Sequence, residues 1–338
     1  MIDPRAWLLW AVALSAAATA TRNPLYLVVL LLVAAVVERR APGGGTGLLS
    51  PLRFAAFAVV STALLNGLTA HVGDTALVAL PDRLPLFGGP VTAEALVYGA
   101  TNGLALATIY GAFAALNRAM SPGELVRLAP RALHEAGVVV AIAVAFVPET
   151  TRSLARIREA QAIRGHRGRG ARDFLPVAVP LVVGGLERSV GLAEAMVARG
   201  YGSVADRPFG AALSVTSAFG LLALLTGWLA ALFWPDARLP AAALAFAGAA
   251  ALVGGIWWAG RAVPRSRYHA GRWGWRESGA LLGAALALAG LLLPLPLVDA
   301  AAGGYSPYPA ARFPAFDPIV GLLLLGLLGP ALASPGGR

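Results

Sequence analysis

Apolar residues gather along this chain in nine runs, at about 6–20, 25–37, 54–71, 92–117, 133–147, 211–234, 240–260, 278–298 and 318–333. A helix needs about 20 apolar residues to cross a bilayer core, and most of these runs reach or approach that length. The pattern predicts an all-α fold, a polytopic helical membrane protein. One long polar island, residues 149–207, interrupts it and holds ten arginines. Within the island, Arg152–Gly165 and Glu187–Gly202 are both charged, Ala-rich helical runs that end in an Arg-Gly pair. Arg164 and Arg199 lie 35 residues apart, room for two helices and a turn.

The arginines also assign sides. Arg39, Arg40 and Arg53 mark one loop, Arg118, Arg127 and Arg131 a second, the island a third, and 261–276 a fourth with five arginines. The stretches 72–91, 235–239 and 299–317 hold one each. Basic residues accumulate in cytoplasmic loops, so the rich loops are inside and the poor ones outside. Prolines and glycines at 81, 85, 88, 89 and 90, and prolines at 307, 309 and 314, mark two of the external stretches as loops. The run at 133–147 has a rich stretch on either side, and Ala136–Val147 extends only about 18 Å at 1.5 Å per residue. It is expected not to cross but to lead, buried or re-entrant, into the island. The first 20 residues read as a membrane segment, not a cleaved signal, because Asp3 sits at their head and a second apolar run follows at Leu25. With 6–20 and 25–37 as a tight hairpin broken at Arg22-Asn23-Pro24, the expectation is about eight crossings with both termini inside. Four parts follow: N-terminal membrane helices over 1–117, a cytoplasmic or interfacial helical domain over 118–207, membrane helices over 208–260, and a C-terminal extension over 261–338 with two further membrane helices.

Composition narrows the chemistry. Of 338 residues, 58% are hydrophobic and 13% charged, with a mean hydropathy of +0.70. There is no cysteine, which removes disulfides and thiolate chemistry. All 27 basic residues are arginine, so the lysine of a phosphate-binding P-loop is missing and any ATP hydrolysis belongs to another subunit. The formal charge of +10 is divided among short loops between apolar spans, a membrane pattern and not a nucleic-acid-binding one. His71, His134, His166 and His269 share no metal-ligand spacing, and no catalytic triad or carboxylate pair stands out within a span. No catalytic residue, metal site or cofactor is expected. Few acids lie within the spans, which argues against a proton-coupled carrier.

In the second island segment, Leu175, Val179, Val182, Leu186, Val190, Ala193 and Val197 recur at helical spacing. They predict a buried stripe, with Leu186, Val190, Ala193 and Val197 packing on a neighbour while Arg188 stays exposed. In the first segment, Leu154, Ile157, Gln161 and Arg164 run down one side. The Arg-Gly endings have an ordinary explanation, since Gly is the usual residue just past a helix and Arg complements the dipole there. They have a functional one too: a guanidinium at each tip can pair bidentately with a carboxylate in an acidic groove of a partner. Two stripes of small residues, Gly99, Gly103, Ala107 and Gly111, then Gly279, Gly283 and Ala287, allow close helix approach, within the chain or to a partner. Asn66 and Asn102 within apolar spans read as interhelical hydrogen-bonding groups.

The order Pro148-Glu149, Arg152, Ala160-Gln161, Arg164-Gly165, Glu187-Arg188, Ala193-Glu194-Ala195-Met196 and Ala198-Arg199-Gly200-Tyr201-Gly202 resembles the transmembrane T component of energy-coupling factor transporters, the CbiQ/EcfT family. Asn23-Pro24-Leu25-Tyr26 and Ser121-Pro122-Gly123-Glu124-Leu125 look like further landmarks. The resemblance implies a non-catalytic scaffold in the cell membrane, for vitamin or metal-ion uptake. Its motifs, Ile163-Arg164-Gly165 and Ala198-Arg199-Gly200, would dock into two ATP-binding cassette subunits on the cytoplasmic face. A separate small membrane protein would capture the substrate. Ile163 departs from the Ala often found in the first motif, and residues after Arg261 lie outside the resemblance. A self-sufficient carrier or membrane enzyme with an unrecognised site is the alternative.

Overall fold

A computed structural model describes residues 2–43, 49–81, 87–128, 134–165, 174–201, 209–234, 237–261, 273–292 and 303–333. These are helical almost throughout and fall into two units, Met1–Leu125 with His269–Arg338, and Val126–Tyr268. Four helices of the first unit open on the same device, a polar cap followed by proline. Asp3, Asn23, Ser50 and Asp317 accept backbone N–H bonds from Arg5, Leu25, Arg53 and Ile319, with proline as the first helical residue each time. Proline lacks an N–H that would be orphaned there anyway, and its fixed φ suits the first turn. The helices so started are α1 (Pro4–Ala20), α2 (Pro24–Arg40), α3 (Pro51–Thr69) and, near the C-terminus, α11 (Pro318–Leu324).

Between α3 and α4 (Ala93–Ala119) lies an antiparallel hairpin, β1 (Ala76–Leu80) and β2 (Gly89–Thr92). It occupies a stretch expected to be an irregular loop. Pro90 inside β2 and the prolines at the turn hide so short a strand pair from any reading by periodicity. The long helix α4 is the axis of this unit, packing on α3 along one side and on α1 and α2 along another. Its glycines permit this. A side chain on Gly103 would come within 2.7 Å of the Val59 Cα, and one on Gly111 within 2.8 Å of the Ala34 Cβ. Thr62 Oγ1 and Asn66 Nδ2 of α3 donate to the Gly99 and Ala95 carbonyls at 2.8 and 2.6 Å. After α4, Ser121 and Glu124 cap α5 (Pro122–Arg127) reciprocally.

The C-terminal residues are not an appendage. Helix α10 (Trp275–Leu292) and a terminal helix broken into α11, a 3-10 turn (Leu325–Leu328) and α12 (Gly329–Ala333) pack on α1 and α2. Gly283 and Gly326 meet backbone to backbone. Trp10, fully buried, donates from Nε1 to the Leu327 carbonyl at 2.8 Å, an acceptor in the 3-10 turn. Asn23 Nδ2 donates to the Ala315 carbonyl at 2.6 Å, and the Tyr26 hydroxyl accepts the Asp317 N–H at 2.8 Å. The fully buried residues Trp10, Leu14, Tyr26, Leu27, Leu30, Leu324 and Leu327 thus come from both ends of the chain. From His269 on, the C-terminal residues belong to the first unit.

The second unit holds α6 (His134–Ile163), α7 (Leu175–Ala198), α8 (Phe209–Phe233) and α9 (Arg238–Arg261). The last two form an antiparallel pair in which Gly220, Gly227 and Gly248 bring the backbones close; a side chain on Gly227 would lie 2.7 Å from the Ala241 carbonyl. Among the described residues six helices, α3, α4, α6, α7, α8 and α9, are long and apolar enough to cross a membrane. These six stand against an expectation of about eight crossings. Helices α1 and α2, of 17 residues each, fall short of that length and are largely buried within the first unit.

Candidate functional site

The polar island is built from α6 and α7. Helix α6 runs unbroken through Pro148, so the apolar run 133–147 and the island's first segment are one helix of 30 residues. The run leads directly into the island, and its Val139, Val140 and Val147 are exposed, not buried within the protein. The tie points show how α6 and α7 align. Gln161 Nε2 donates to the Pro176 carbonyl at 3.1 Å, and Arg188 Nη1 pairs with Glu149 Oε1 at 3.2 Å. Residue numbers rise along one helix as they fall along the other, so the pair is antiparallel.

Both helices end on a glycine in the left-handed region. In α7, Gly200 has φ +78°, its N–H reaches the Val197 carbonyl at 2.9 Å, and the Tyr201 N–H reaches the Met196 carbonyl at 3.0 Å. This is a Schellman motif, with the left-handed residue that glycine adopts without strain. In α6, Gly165 has φ +86° and its N–H reaches the Ala162 carbonyl at 3.0 Å. Arg164 and Arg199 therefore hold the same position, the last residue before the turning glycine, and both are exposed. Ile163 is 88% exposed beside the first, and Val197 and Ala198 are exposed beside the second. An antiparallel pair separates these tips: Gln161 lies against the first turn of α7, whereas Arg199 closes its far end. The 24 residues of α7 put about 36 Å between them at 1.5 Å per residue.

The structure turns α7 the other way from the expected stripe. Leu186, Val190, Ala193 and Val197 are exposed, with Val190 at 57%. Half-buried positions include Val177, Leu181, Gly184, Arg188, Leu192 and Met196, which share the opposite face. Both stripes have helical spacing, and polarity misled the choice because the inward face carries Arg188. Its guanidinium is held by Glu149 and, through Nε, by the Gly184 carbonyl at 3.1 Å. Glu149 Oε1 also accepts from Arg156 at 3.0 Å, so one carboxylate serves two guanidiniums. On α6, Leu154, Ile157 and Gln161 are half-buried, and Arg164 is exposed.

The small-residue stripes sort differently. Gly99, Gly103, Ala107 and Gly111 are buried inside the first unit, and Gly283 meets Gly326, whereas Gly279 faces open space. Asn66 makes an interhelical bond, and Asn102 is exposed on α4. A cavity of about 360 Å³ in the first unit, lined by Trp7, Asn117, Arg118, Ser121 and Glu124 among others, contains none of the residues expected at the site. His134 is the first residue of α6, and His166 and His269 lie outside the described residues. In comparisons with protein-family models, with curated proteins and with solved structures, nothing matches this chain.

Proposed function

We propose that this protein is the non-catalytic transmembrane coupling subunit of an ECF-type ABC importer. It would sit in the cell membrane with α6 and α7 on the cytoplasmic side. The observation that carries the reading is the repeated tip, Arg164-Gly165 and Arg199-Gly200, in one backbone geometry at opposite ends of one helix pair. Two like guanidiniums about 36 Å apart suit two like acidic grooves, as a pair of ATP-binding subunits would offer. The motif Ile163-Arg164-Gly165 would enter one groove and Ala198-Arg199-Gly200 the other. A small substrate-capturing membrane subunit for a vitamin or metal ion completes the assembly, and the chain itself needs no cofactor.

The layout of α6 and α7 supports an interfacial placement. Each helix is half apolar and half polar: 136–147 against 149–163 in α6, and 175–186 against 187–199 in α7. Antiparallel packing sets the apolar half of each beside the polar half of the other. Upright in a bilayer, such a pair would bury Arg152, Arg156 and Arg158 or Glu187, Arg188 and Glu194 at hydrocarbon depth, which costs several kcal/mol, about 2.5–3.5 for each charge at mid-membrane. Lying along the surface it buries none of them. On this reading α3, α4, α8 and α9 cross as long helices, and α6 and α7 do not.

The test is reconstitution in nanodiscs with ATP-binding cassette pairs encoded by the same genome, scoring complex formation and transport-linked ATP hydrolysis. Arg164→Ala and Arg199→Ala should each weaken docking by about 2–5 kcal/mol, the cost of leaving a partner's buried carboxylate unpaired. Both arginines are exposed in the free chain, so its fold should not change. Full coupling in the double variant would refute the docking role.

A further inference from the structure

Proline at position 180 has a consequence that α6 answers. In an α-helix the N–H of residue 180 would bond the carbonyl of residue 176, and Pro180 has no N–H to give. The Pro176 carbonyl is left over inside the first turns of α7. It receives the Gln161 Nε2 of the other helix, at 3.1 Å and partly buried. Gln161 is half-buried on the inward face of α6, three residues before Arg164 and two before Ile163. The interhelical bond is thus made by the turn of α6 that carries the tip.

We infer that Gln161 and Pro180 act together as a latch that positions the Arg164 tip: the proline frees the Pro176 carbonyl, and the glutamine amide uses it to tie the last turn of α6 to α7. The second tie, Glu149 to Arg188, lies three turns away along α6 and cannot hold that turn. An untied last turn frays, because a helix end has carbonyls and N–H groups without intrahelical partners. The exposed guanidinium would then lose its fixed direction. Gln161 on this account is a positioning residue, acting through the backbone of α7 and not by touching a partner. The inference extends the docking reading, but the latch itself can be tested without any partner.

The chain has no cysteine, so single labels report cleanly. In the full-length protein in nanodiscs, a spin label at Ile163→Cys reads the mobility of the tip, and a pair at Ala162→Cys and Val179→Cys reads the distance between the helices. Gln161→Glu keeps the shape and removes the donor; it should mobilise the tip label and broaden the distance distribution. Pro180→Ala restores the in-helix N–H, which competes with Gln161 for the Pro176 carbonyl, and should loosen the tip in the same direction. The combination should be no looser than Gln161→Glu alone, because without the glutamine donor there is no interhelical bond left for the new N–H to weaken. The population of the loosened state should rise about fivefold to tenfold in each case, the usual scale for one partly buried hydrogen bond. Unchanged mobility in Gln161→Glu overturns the latch. So does a tip that Pro180→Ala leaves ordered, or effects that add in the double variant. None of these results bears on whether Arg164 docks, which the arginine variants decide separately.

Discussion

Arg188→Gln should loosen the α6–α7 pair, and Val190→Asp should not, the reverse of what the apolar stripe alone predicts. Arg188 is half-buried, with Nη1 3.2 Å from Glu149 Oε1 and Nε 3.1 Å from the Gly184 carbonyl, and glutamine cannot make both contacts. Coulomb attraction at that separation is about 5 kcal/mol at an effective dielectric of 20. The side chains of Arg188 and Glu149 remain 34% and 39% exposed, so screening and desolvation cut the net worth to about 1–1.5 kcal/mol. Glu149 also keeps Arg156, which limits the loss further. Val190 is 57% exposed and faces away from α6, where a substitution should shift the stability of the pair by no more than about 0.5 kcal/mol. Hydrogen exchange of the peptides covering 149–163 and 181–196 measures this directly. Exchange should accelerate about five- to tenfold in Arg188→Gln, since 1.4 kcal/mol is a factor of ten, and hardly at all in Val190→Asp. A cycle with Glu149→Gln should show the two residues coupled. If Val190→Asp were the more damaging, or Arg188→Gln silent, the assignment of faces on α7 would be wrong.

Gly200→Ala should cost about 1 kcal/mol, because φ +78° strains a residue with a Cβ, and should raise exchange in the last turn of α7 while leaving α10 unchanged. Trp10→Phe leaves the Leu327 carbonyl without its donor and should lower stability by about 1–3 kcal/mol, read as a lower melting temperature in detergent. Gly103→Leu should force α3 from α4, since even a Cβ there lies 2.7 Å from the Val59 Cα, and should lower the melting temperature in detergent. Single cysteines at Ser153 and Ser306 should label only from the cytoplasmic and the external side respectively; labelling of Ser153 from outside would invert the topology and exclude contact with cytoplasmic ATPases.

Much of this protein is local and therefore legible in the chain. Proline after Asp3, Asn23, Ser50 and Asp317 starts helices because cap and ring act within three residues. Gly165 and Gly200 end helices because only glycine turns there without strain. The described residues of the apolar runs are mostly helical for the same reason, since helical period and hydropathy are properties of the segment itself. The tips Arg164 and Arg199 were visible as a repeated pair on that basis alone.

Tertiary structure decided what depends on partners far along the chain. Leu186 and Val190 look like a core stripe, but the face of α7 that packs is the one whose arginine finds Glu149, 39 residues away. An apolar stripe says only that some face can be covered, and a charge moves inward wherever a counter-charge and a carbonyl wait for it. The C-terminal segment likewise carries no sign in its own sequence that Trp10 needs the Leu327 carbonyl, 317 residues on. Its place beside α1 and α2 follows from satisfying that bond and closing the glycine contact at 283 and 326, neither of which any one segment contains.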